Sequence, residues 1–145
     1  MQWASVQVGS NIFQVQDDGQ SDQMQCQWVR ADGSKSEDVS LMEQPRAGFA
    51  LANVKDRYVL ATCGTVRGAA VDTCHRFETA TSTWQALPSL NFARSHHASC
   101  SLDGSVYVFC GIGAKNESLN SIEMLENVSV PVAAIPDWKI INLVD

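Results

Sequence analysis

Two adjacent histidines and two cysteines stand close together in a stretch whose residue types suit metal binding or nucleophilic catalysis. The stretch is ARSHHASCSLDGSVYVFCGIG, residues 93–113, and it contains His96, His97, Cys100 and Cys110. Histidine nitrogen and cysteine sulfur are common zinc ligands, and a cysteine beside a histidine can be activated as a nucleophile. The spacing of these residues decides between the two chemistries and a structural role.

That spacing disfavours both chemistries. Neighbouring residues of a strand point to opposite faces, so His96 and His97 cannot easily share one metal ion. His96 and Cys100 share a face, but zinc usually takes four ligands. A catalytic Cys–His pair would also need an orienting group and an oxyanion hole, which the spacing does not supply. We therefore interpret His97 as a residue that packs and hydrogen-bonds within its own sheet. We interpret Cys100 and Cys110 as small buried apolar residues and expect no metal or cofactor.

Composition limits the class of protein. The chain has 145 residues, of which 45% are hydrophobic and 18% charged, and its net charge is −6. This is about one domain in length and is apolar enough to form a core. A nucleic-acid-binding protein would show a basic face, so we expect no nucleic-acid partner.

The sequence shows no segment typical of a membrane or secreted protein, which predicts a cytoplasmic location. No segment has the ~18 apolar residues of a membrane helix, and the N-terminal sequence MQWASVQVGSNIF lacks the basic and apolar regions of a signal peptide. The five cysteines are an odd number without a C-x-x-C pair, which favours free, mostly buried thiols in a reducing compartment. We expect a cytoplasmic protein with no membrane partner.

An internal repeat organises the second half of the chain. PRAGFALANVKDRYVLATCG aligns with ARSHHASCSLDGSVYVFCG, which places Arg46 over Arg94 and Gly64 over Gly111. Downstream, VDTCHRFE, residues 71–78, aligns with LNSIEMLE, residues 119–126. The three landmarks give nearly the same period, and it lies in the range of β-propeller blades.

Each unit is predicted to contain four short strands. A strand over residues 98–102 and the run SVYVFC flank Asp103 and Gly104, a turn pair typical of β-hairpins. The continuous apolar run VYVFC predicts a strand buried on both faces. A third strand is expected near residues 119–125, and TSTWQAL gives the earlier copy its fourth strand. One such unit cannot bury both faces of its strands, so the units should stack.

The units resemble the kelch repeat, the blade of a β-propeller. ARSHHAS is similar to the Arg-x-x-His opening of that repeat, with Arg94 and His97, and GSVYVFCG is similar to its hydrophobic-Tyr-Val-x-Gly-Gly strand. LNSIEML is similar to the strand that carries a glutamate before an aromatic residue or leucine. FETATSTWQALPSL is similar to the stretch that runs from Tyr-Asp to Trp and ends in Leu-Pro.

The chain departs from the kelch pattern at three places. The double glycine is replaced by Cys-Gly at residues 63–64 and 110–111. His75 stands where the family has glutamate, whereas Glu123 keeps the glutamate in the next unit. Trp138 comes later in its unit than the repeat of Trp84 would place it.

The resemblance implies an all-β fold of kelch-type β-propeller blades, each of four antiparallel strands, with about two and a half blades in an incomplete ring. We assign residues 1–41 to a degenerate or partial blade with polar loops, 42–92 to a kelch-like blade and 93–145 to a kelch-like blade with an irregular last strand. Within residues 1–41, NIFQV and QWVRADG are candidate outer strands, and DDGQSDQMQCQ is a candidate loop or disordered insert.

The resemblance also implies a protein-interaction module or scaffold that binds a protein partner through loops between strands. The predicted contacts lie in the loops that join the second and third strands of two units. They are Thr65, Val66, Arg67, Lys115, Asn116 and Glu117. Because propellers usually close with four to eight blades, the open faces leave three alternatives. The chain is a fragment of a longer protein, it self-associates to complete the ring, or it docks against another propeller-containing partner.

The alternative is that the chain is a fragment of a galactose-oxidase-like propeller enzyme. Some kelch-like propellers are copper oxidases of the galactose oxidase type, which need tyrosine and histidine ligands. The chain has two tyrosines, Tyr58 and Tyr107, and both lie in apolar strands that read as core. Trp84 and Trp138 are predicted to anchor outer strands between blades rather than to stack on a ligand. These assignments favour the interaction module over the enzyme.

Overall fold

The computed structural model describes residues 3–17, 23–36, 40–43 and 46–141, and the chain in these ranges is almost entirely β. One 3-10 turn, Val132–Ala134, is present, and no helix in these ranges is long and apolar enough to cross a membrane. In chain order the strands are β1 (Trp3–Val8), β2 (Asn11–Asp17), β3 (Gln23–Val29), β4 (Ser40–Glu43), β5 (Ala50–Val54), β6 (Tyr58–Thr62), β7 (Thr65–Val66), β8 (Ala69–Ala70), β9 (Cys74–Glu78), β10 (Thr83–Leu87), β11 (Arg94–Ser95), β12 (Ala98–Leu102), β13 (Ser105–Phe109), β14 (Ile112–Gly113), β15 (Ile122–Leu125) and β16 (Lys139–Ile141).

Three antiparallel sheets of four strands each form the body of the described chain. The first sheet is β1-β2-β3-β4, the second is β5-β6-β9-β10, and the third is β12-β13-β15-β16. Every sheet is therefore a meander in chain order, which confirms the all-β fold of four-stranded blades in an incomplete propeller. The division of the chain into units at residues 41 and 92 stays a prediction, and β4 extends across the first of these positions.

The first and second sheets pack through an aromatic cluster. The rings of Phe13 and Phe77 stack with centroids 4.6 Å apart, and Trp28 packs edge-on against Phe13 at 5.0 Å. Val59 and Ala61 of β6 complete the contact from the second sheet. All of these except Trp28 are fully buried, so this cluster joins the two sheets as one apolar layer.

The opposite face of β6 packs on the third sheet. Tyr58 and Leu60 contact Val106, Val108 and Leu125, all of them buried. Every residue of β6 is buried, as the continuous apolar run predicts for a strand covered on both sides.

The corresponding strand of the third sheet behaves differently. In β13 only Val106 and Val108 are buried, whereas Tyr107 and Phe109 are half-buried. The prediction that VYVFC is buried on both faces is therefore wrong, because no described residue packs over the outer face of the third sheet.

Side chains tie the first strands of successive sheets together. The amide of Asn53 in β5 donates to the carbonyl of Gln7 in β1 at 2.9 Å, and the hydroxyls of Ser99 and Ser101 in β12 donate to the carbonyls of Leu51 and Asn53. These side-chain hydrogen bonds connect the first strands of the three sheets. β1, β5 and β12 therefore lie side by side along one edge of the stacked sheets.

The connection between the third and fourth strands of the third sheet packs against the second sheet. Between β15 and β16 the chain carries Val128 and Val130, whose carbonyls both accept hydrogen bonds from the guanidinium of Arg76 in β9. Trp138 closes the segment and donates to the carbonyl of Pro88 at 2.8 Å. We call residues 127–138 the return segment.

The turns follow the residue chemistry of the sequence. Asp103 and Gly104 have φ of 53° and 83° and join Leu102 to its partner Ser105, so the predicted hairpin is confirmed. Gly64 and Gly111 have φ of 98° and 95°, and a Cβ there would lie 2.7 and 2.6 Å from a backbone carbonyl oxygen. Glycine is required at both positions by conformation and by space.

The first sheet corrects two expectations. NIFQV and QWVRADG contribute to β2 and β3, which are the second and third strands of their sheet rather than outer strands. QMQCQ lies within β3 and is not a loop, because Met24 and Cys26 point into the core while Gln25 and Gln27 alternate outward. Residues 18–22 of the predicted insert lie outside the described residues.

We expect Gly64→Ala to lower the free energy of unfolding by at least about 3 kcal/mol, because it adds a clash with a backbone carbonyl to the cost of a left-handed alanine. Gly68→Ala is the matched control: its φ is +82°, but nothing lies within 4 Å of the added Cβ. The control should lose only about 1–2 kcal/mol. Urea unfolding of the two variants measures the difference, and equal losses would contradict the close approach at Gly64.

Candidate functional site

A buried arginine, Arg94, fixes the end of the third sheet at which β13 leads into the loop before β15. Arg94 is fully buried, and its guanidinium donates to the carbonyls of Cys110 and Ser121 at 3.0 and 3.1 Å and to the Ser121 hydroxyl at 3.0 Å. It also forms an ion pair of 2.8 Å with the equally buried carboxylate of Glu123. A buried charge is tolerated only when it is paired and hydrogen-bonded in this way.

Arg46 repeats this arrangement one unit earlier, without the carboxylate. Its guanidinium donates to the carbonyls of Cys63 and Thr73, each at 3.1 Å, and to the Thr73 hydroxyl at 2.9 Å. His75 stands at the position of Glu123, and none of the described carboxylates forms an ion pair with Arg46. Burial lowers the pKa of Arg46 from its ordinary value.

The carboxylate of Glu123 also fixes the connection that leads into the third sheet. It accepts hydrogen bonds from the backbone amides of Asn91 and Phe92 at 2.6 and 3.1 Å and from the Asn91 side chain at 2.9 Å. The backbone of these two residues is thereby fixed, while Phe92 as a whole remains 44% exposed. An aromatic ring is therefore displayed on a rigid connection.

The first predicted loop is a small hairpin. Thr65 and Val66 form β7 and pair with β8, and the turn between them contains Arg67 and Gly68, both with positive φ. The amide of Thr65 donates to the carbonyl of Ala47 at 2.7 Å. Thr65 and Val66 are half-buried and Arg67 is exposed, so Arg67 is the predicted contact at the tip of this loop.

The second predicted loop is closed by its own hydrogen bonds. β14 pairs with β11, and the amide of Gly113 donates to the carbonyl of Glu117 at 2.8 Å. The Glu117 carboxylate accepts from the amide of Lys115 at 3.1 Å. Lys115, Asn116 and Glu117 are all exposed.

Both loops join a second strand to a third strand and therefore leave the stacked sheets at the same end, where the connection carrying Phe92 also lies. We call this end, residues 65–70, 91–93 and 112–118, the loop face. No hydrogen bond or ion pair between the two predicted loops is present in the described part of the chain. The choice of contact residues stays a prediction.

Sequence reasoning missed two apolar residues of the loop face. Phe92 is 44% exposed and Ile112 is 37% exposed, although apolar side chains of this size are usually covered. The only sequence signal is an isolated aromatic residue in PSLNFAR, between a fourth strand and the arginine that opens the next unit. Such a signal does not separate a surface residue from a core residue.

The histidines lie beside the loop face with different roles. His97 Nε2 forms a 2.8 Å hydrogen bond with the Thr62 hydroxyl of the neighbouring second sheet, so it bonds between units rather than within one. Burial, followed by the positive Arg94 and by His96, lowers the pKa of His97 to about 4. His96 is exposed and its ring contacts the hydroxyl of Ser95.

The cysteines divide by exposure. Burial raises the pKa of both Cys63 and Cys74 to about 12, so these thiols are protonated at neutral pH and are poor nucleophiles. Cys100 and Cys110 are exposed, and the expectation that they are buried is wrong. Cys63 occupies the same repeat position as Cys110 but is covered by the following unit. No group of three histidine, cysteine or acidic residues in the described ranges is placed to hold a metal ion.

The large aromatic residues act mainly in packing. Trp138 is 4% exposed within the cluster between the second and third sheets, and Trp84 packs 5.2 Å from Phe77 between the first and second, so their predicted anchoring role is confirmed. Tyr58 is buried under the Arg76 guanidinium, which lies 4.3 Å from its ring centroid. Tyr107 is half-buried on the outer face of the third sheet, so its assignment to the core is wrong.

Comparison with known proteins agrees with this architecture. Residues 93–126 match the Kelch motif. The chain is also similar to an F-box/kelch-repeat protein of Arabidopsis thaliana, with 31% identity over 78 residues. This match covers 54% of the chain and 17% of the relative, so the chain spans only a small part of that protein's length.

We expect His75→Glu to raise the free energy of unfolding by about 1–2 kcal/mol, because it supplies Arg46 with the carboxylate that Arg94 already has. The mirror variant Glu123→His should lower it by about 3–5 kcal/mol, because it leaves Arg94 without its buried partner. Urea unfolding measures both changes. A His75→Glu variant less stable than the wild type would show that the two arginine sites are not equivalent.

The lowered pKa of His97 predicts an acid sensitivity. Between about pH 6.5 and about pH 4 the unfolded chain binds more protons at this residue than the folded chain, so stability falls as the pH falls through this window. His97→Gln should remove this part of the pH dependence, whereas His96→Gln should retain it. The measurement is the urea midpoint at several pH values, and an unchanged profile in His97→Gln would contradict the assignment.

Proposed function

We propose that this kelch-repeat chain is a protein-interaction module that binds a protein partner through its loop face. Kelch repeats are generally protein-interaction modules, and the match to the Kelch motif at residues 93–126 places one such repeat here. The observation that carries the proposal is the exposed ring of Phe92 on a backbone held by the buried Arg94–Glu123 pair.

The physical properties of Phe92 suit a binding anchor. Aromatic residues are enriched among the few side chains that supply most of the binding energy at protein interfaces. Two amide hydrogen bonds to Glu123 order the backbone of Asn91 and Phe92 before any partner arrives. Less conformational entropy is then lost on binding, and more of the interaction energy appears as affinity.

The predicted polar contacts suit the rim of such an interface. Arg67 lies at the tip of a tight hairpin, and Lys115, Asn116 and Glu117 lie on a turn closed by its own hydrogen bonds. These loops are displayed on rigid sheets, which is the usual arrangement of binding residues. The partner that fits this face presents an apolar side chain to Phe92 and polar groups to the surrounding loops.

The relative from Arabidopsis thaliana is called an F-box/kelch-repeat protein. The proposal for this chain takes over the kelch part of that name alone, since the match covers 17% of the relative. A cytoplasmic location remains an expectation from the sequence.

Phe92→Ser should abolish recovery of loop-face partners, with a loss of at least about thirtyfold in affinity, the size expected for an interface anchor. Arg67→Glu should weaken the same partners by a smaller factor. The matched control is Lys55→Glu, which makes the same change of charge as Arg67→Glu. Lys55 lies at the opposite end of the sheets, in the turn that joins β5 to β6.

The measurement is quantitative affinity capture with wild type and all three variants, followed by titration of each recovered protein in purified form. Thermal unfolding checks that the variants stay folded. Partners that are retained by Phe92→Ser and Arg67→Glu but lost with Lys55→Glu would place binding at the opposite end and overturn the proposal.

A further inference from the structure

An open cavity lies at the end of the first sheet that is opposite the loop face. Its volume is about 260 Å³, and it is lined by Val8, Asn11, Trp28 and Arg30. Val8 ends β1, Asn11 begins β2, and Arg30 follows β3 directly, so the cavity lies beside the turn that joins the first two strands. We call it the end cavity.

The strand registers bring the lining residues to one face of the sheet. Val8 pairs with Asn11, and the pairing of β2 with β3 places Arg30 opposite Asn11. Trp28, two residues before Arg30, lies on the same face and packs edge-on against Phe13 at 5.0 Å. This is the face that packs on the second sheet, and the end cavity lies where that packing ends. Trp28 is therefore half-buried, with part of its indole ring facing the end cavity.

Hydrogen bonds fix the walls of the end cavity. The amide of Gly9, in the turn after Val8, donates to the carboxylate of Asp56 in the second sheet at 2.9 Å. The side chain of Asn53 donates to the same carboxylate at 2.7 Å. On the other wall the amide of Trp28 donates to the Ser36 hydroxyl at 2.8 Å. The end cavity is thus formed by the fold itself, which is usual for sites that bind small molecules.

Arg30 gives the end cavity a positive charge that the chain does not neutralise. Arg30 is exposed, and in the described part of the chain it forms no ion pair. Its guanidinium makes a long hydrogen bond of 3.4 Å to the Ser34 hydroxyl. Asp32, the acidic residue nearest in sequence, instead accepts from the amide and hydroxyl of Ser34 at 2.8 and 2.6 Å. The guanidinium therefore remains available to an external anion.

The lining selects a ligand by charge and by polarity. It combines a guanidinium, an amide, an indole ring and an aliphatic side chain, and none of these four residues carries a carboxylate. The guanidinium and the amide supply hydrogen-bond donors that suit carboxylate oxygens. The indole ring and Val8 supply apolar contact. A cationic ligand is disfavoured, because it would lie beside Arg30 with no opposite charge in the lining.

We propose that the end cavity binds a carboxylate attached to an aromatic or other apolar group. The carboxylate lies against Arg30 and Asn11, and the apolar group lies against Trp28 and Val8. Pockets for drug-sized ligands have volumes of about 300–1,000 Å³, so a cavity slightly below this range suits a ligand with a single ring. A free aromatic acid and the C-terminal phenylalanine of a peptide carry this same chemistry.

The geometry also predicts a weak affinity. Arg30 is exposed, and contacts between exposed charges contribute little because water screens them. The apolar contact is limited to one indole ring and one valine. We expect a dissociation constant of about 1 mM for a single-ring acid.

The test is a titration of the isotopically labelled full chain with phenylacetate, followed by NMR up to about 20 mM, a range that brackets a millimolar dissociation constant. The indole N–H of Trp28 and the side-chain amide of Asn11 should shift and saturate together. Phenylacetamide has the same shape without the charge and should bind at least about tenfold more weakly. Acetyl-Gly-Gly-Phe and its C-terminal amide show whether a peptide terminus binds as the free acid does.

Variants locate the site. Arg30→Gln removes the cation, and Asn11→Asp adds a like charge without changing the shape of the side chain. Each should weaken phenylacetate binding at least about tenfold. The matched control is Lys35→Gln, which also removes one exposed cation. Lys35 pairs with Val29, whose side chain points to the face opposite Arg30, so this variant should bind like the wild type.

Thermal unfolding establishes that the variants are folded. The proposal is overturned if neither phenylacetate nor the free-acid peptide gives saturable shifts. It is also overturned if phenylacetamide binds as tightly as phenylacetate, or if Arg30→Gln and Lys35→Gln titrate alike. Binding of the peptide alone would support the site and identify its ligand as a peptide terminus. The loop-face partners are measured by affinity capture, so either proposal can fail alone.

Discussion

The ion pair between Arg94 and Glu123 is the interaction on which the loop end of the third sheet depends. A guanidinium with no exposed surface is stable only because two carbonyls, a hydroxyl and a carboxylate surround it. The same carboxylate fixes the connection at Asn91 and Phe92. One buried pair therefore joins the end of β13, the start of β15 and the chain that enters from the second sheet.

The repeat of this arrangement at Arg46 shows how much of the fold the sequence specifies. The equivalence of Arg46 and Arg94 is visible in the aligned repeats, and three hydrogen bonds of each guanidinium recur at equivalent positions. The hairpin at Asp103 and Gly104 was equally predictable, because its turn chemistry is local. The four strands predicted for each aligned unit are those of the second and third sheets.

Burial was less predictable, because it depends on which sheets lie on either side of a strand. RYVLATC and SVYVFC are alike in sequence, yet β6 is covered on two faces and β13 on one. The partial exposure of Tyr107 and the exposure of Cys100 and Cys110 follow from that difference. The strand within QMQCQ was missed because its outward residues are glutamines, which mimic a polar loop. Phe92 was missed because one aromatic residue in a connection forms no pattern.

The return segment has a consequence for how the chain opens. Arg76 of the second sheet holds the carbonyls of Val128 and Val130, and Trp138 bonds to Pro88, so residues that follow the third sheet's third strand are fastened to the second sheet. Neither sheet can separate without breaking buried bonds made by the other. The second and third sheets therefore form one cooperative unit in local unfolding, and slow hydrogen exchange should extend across both together.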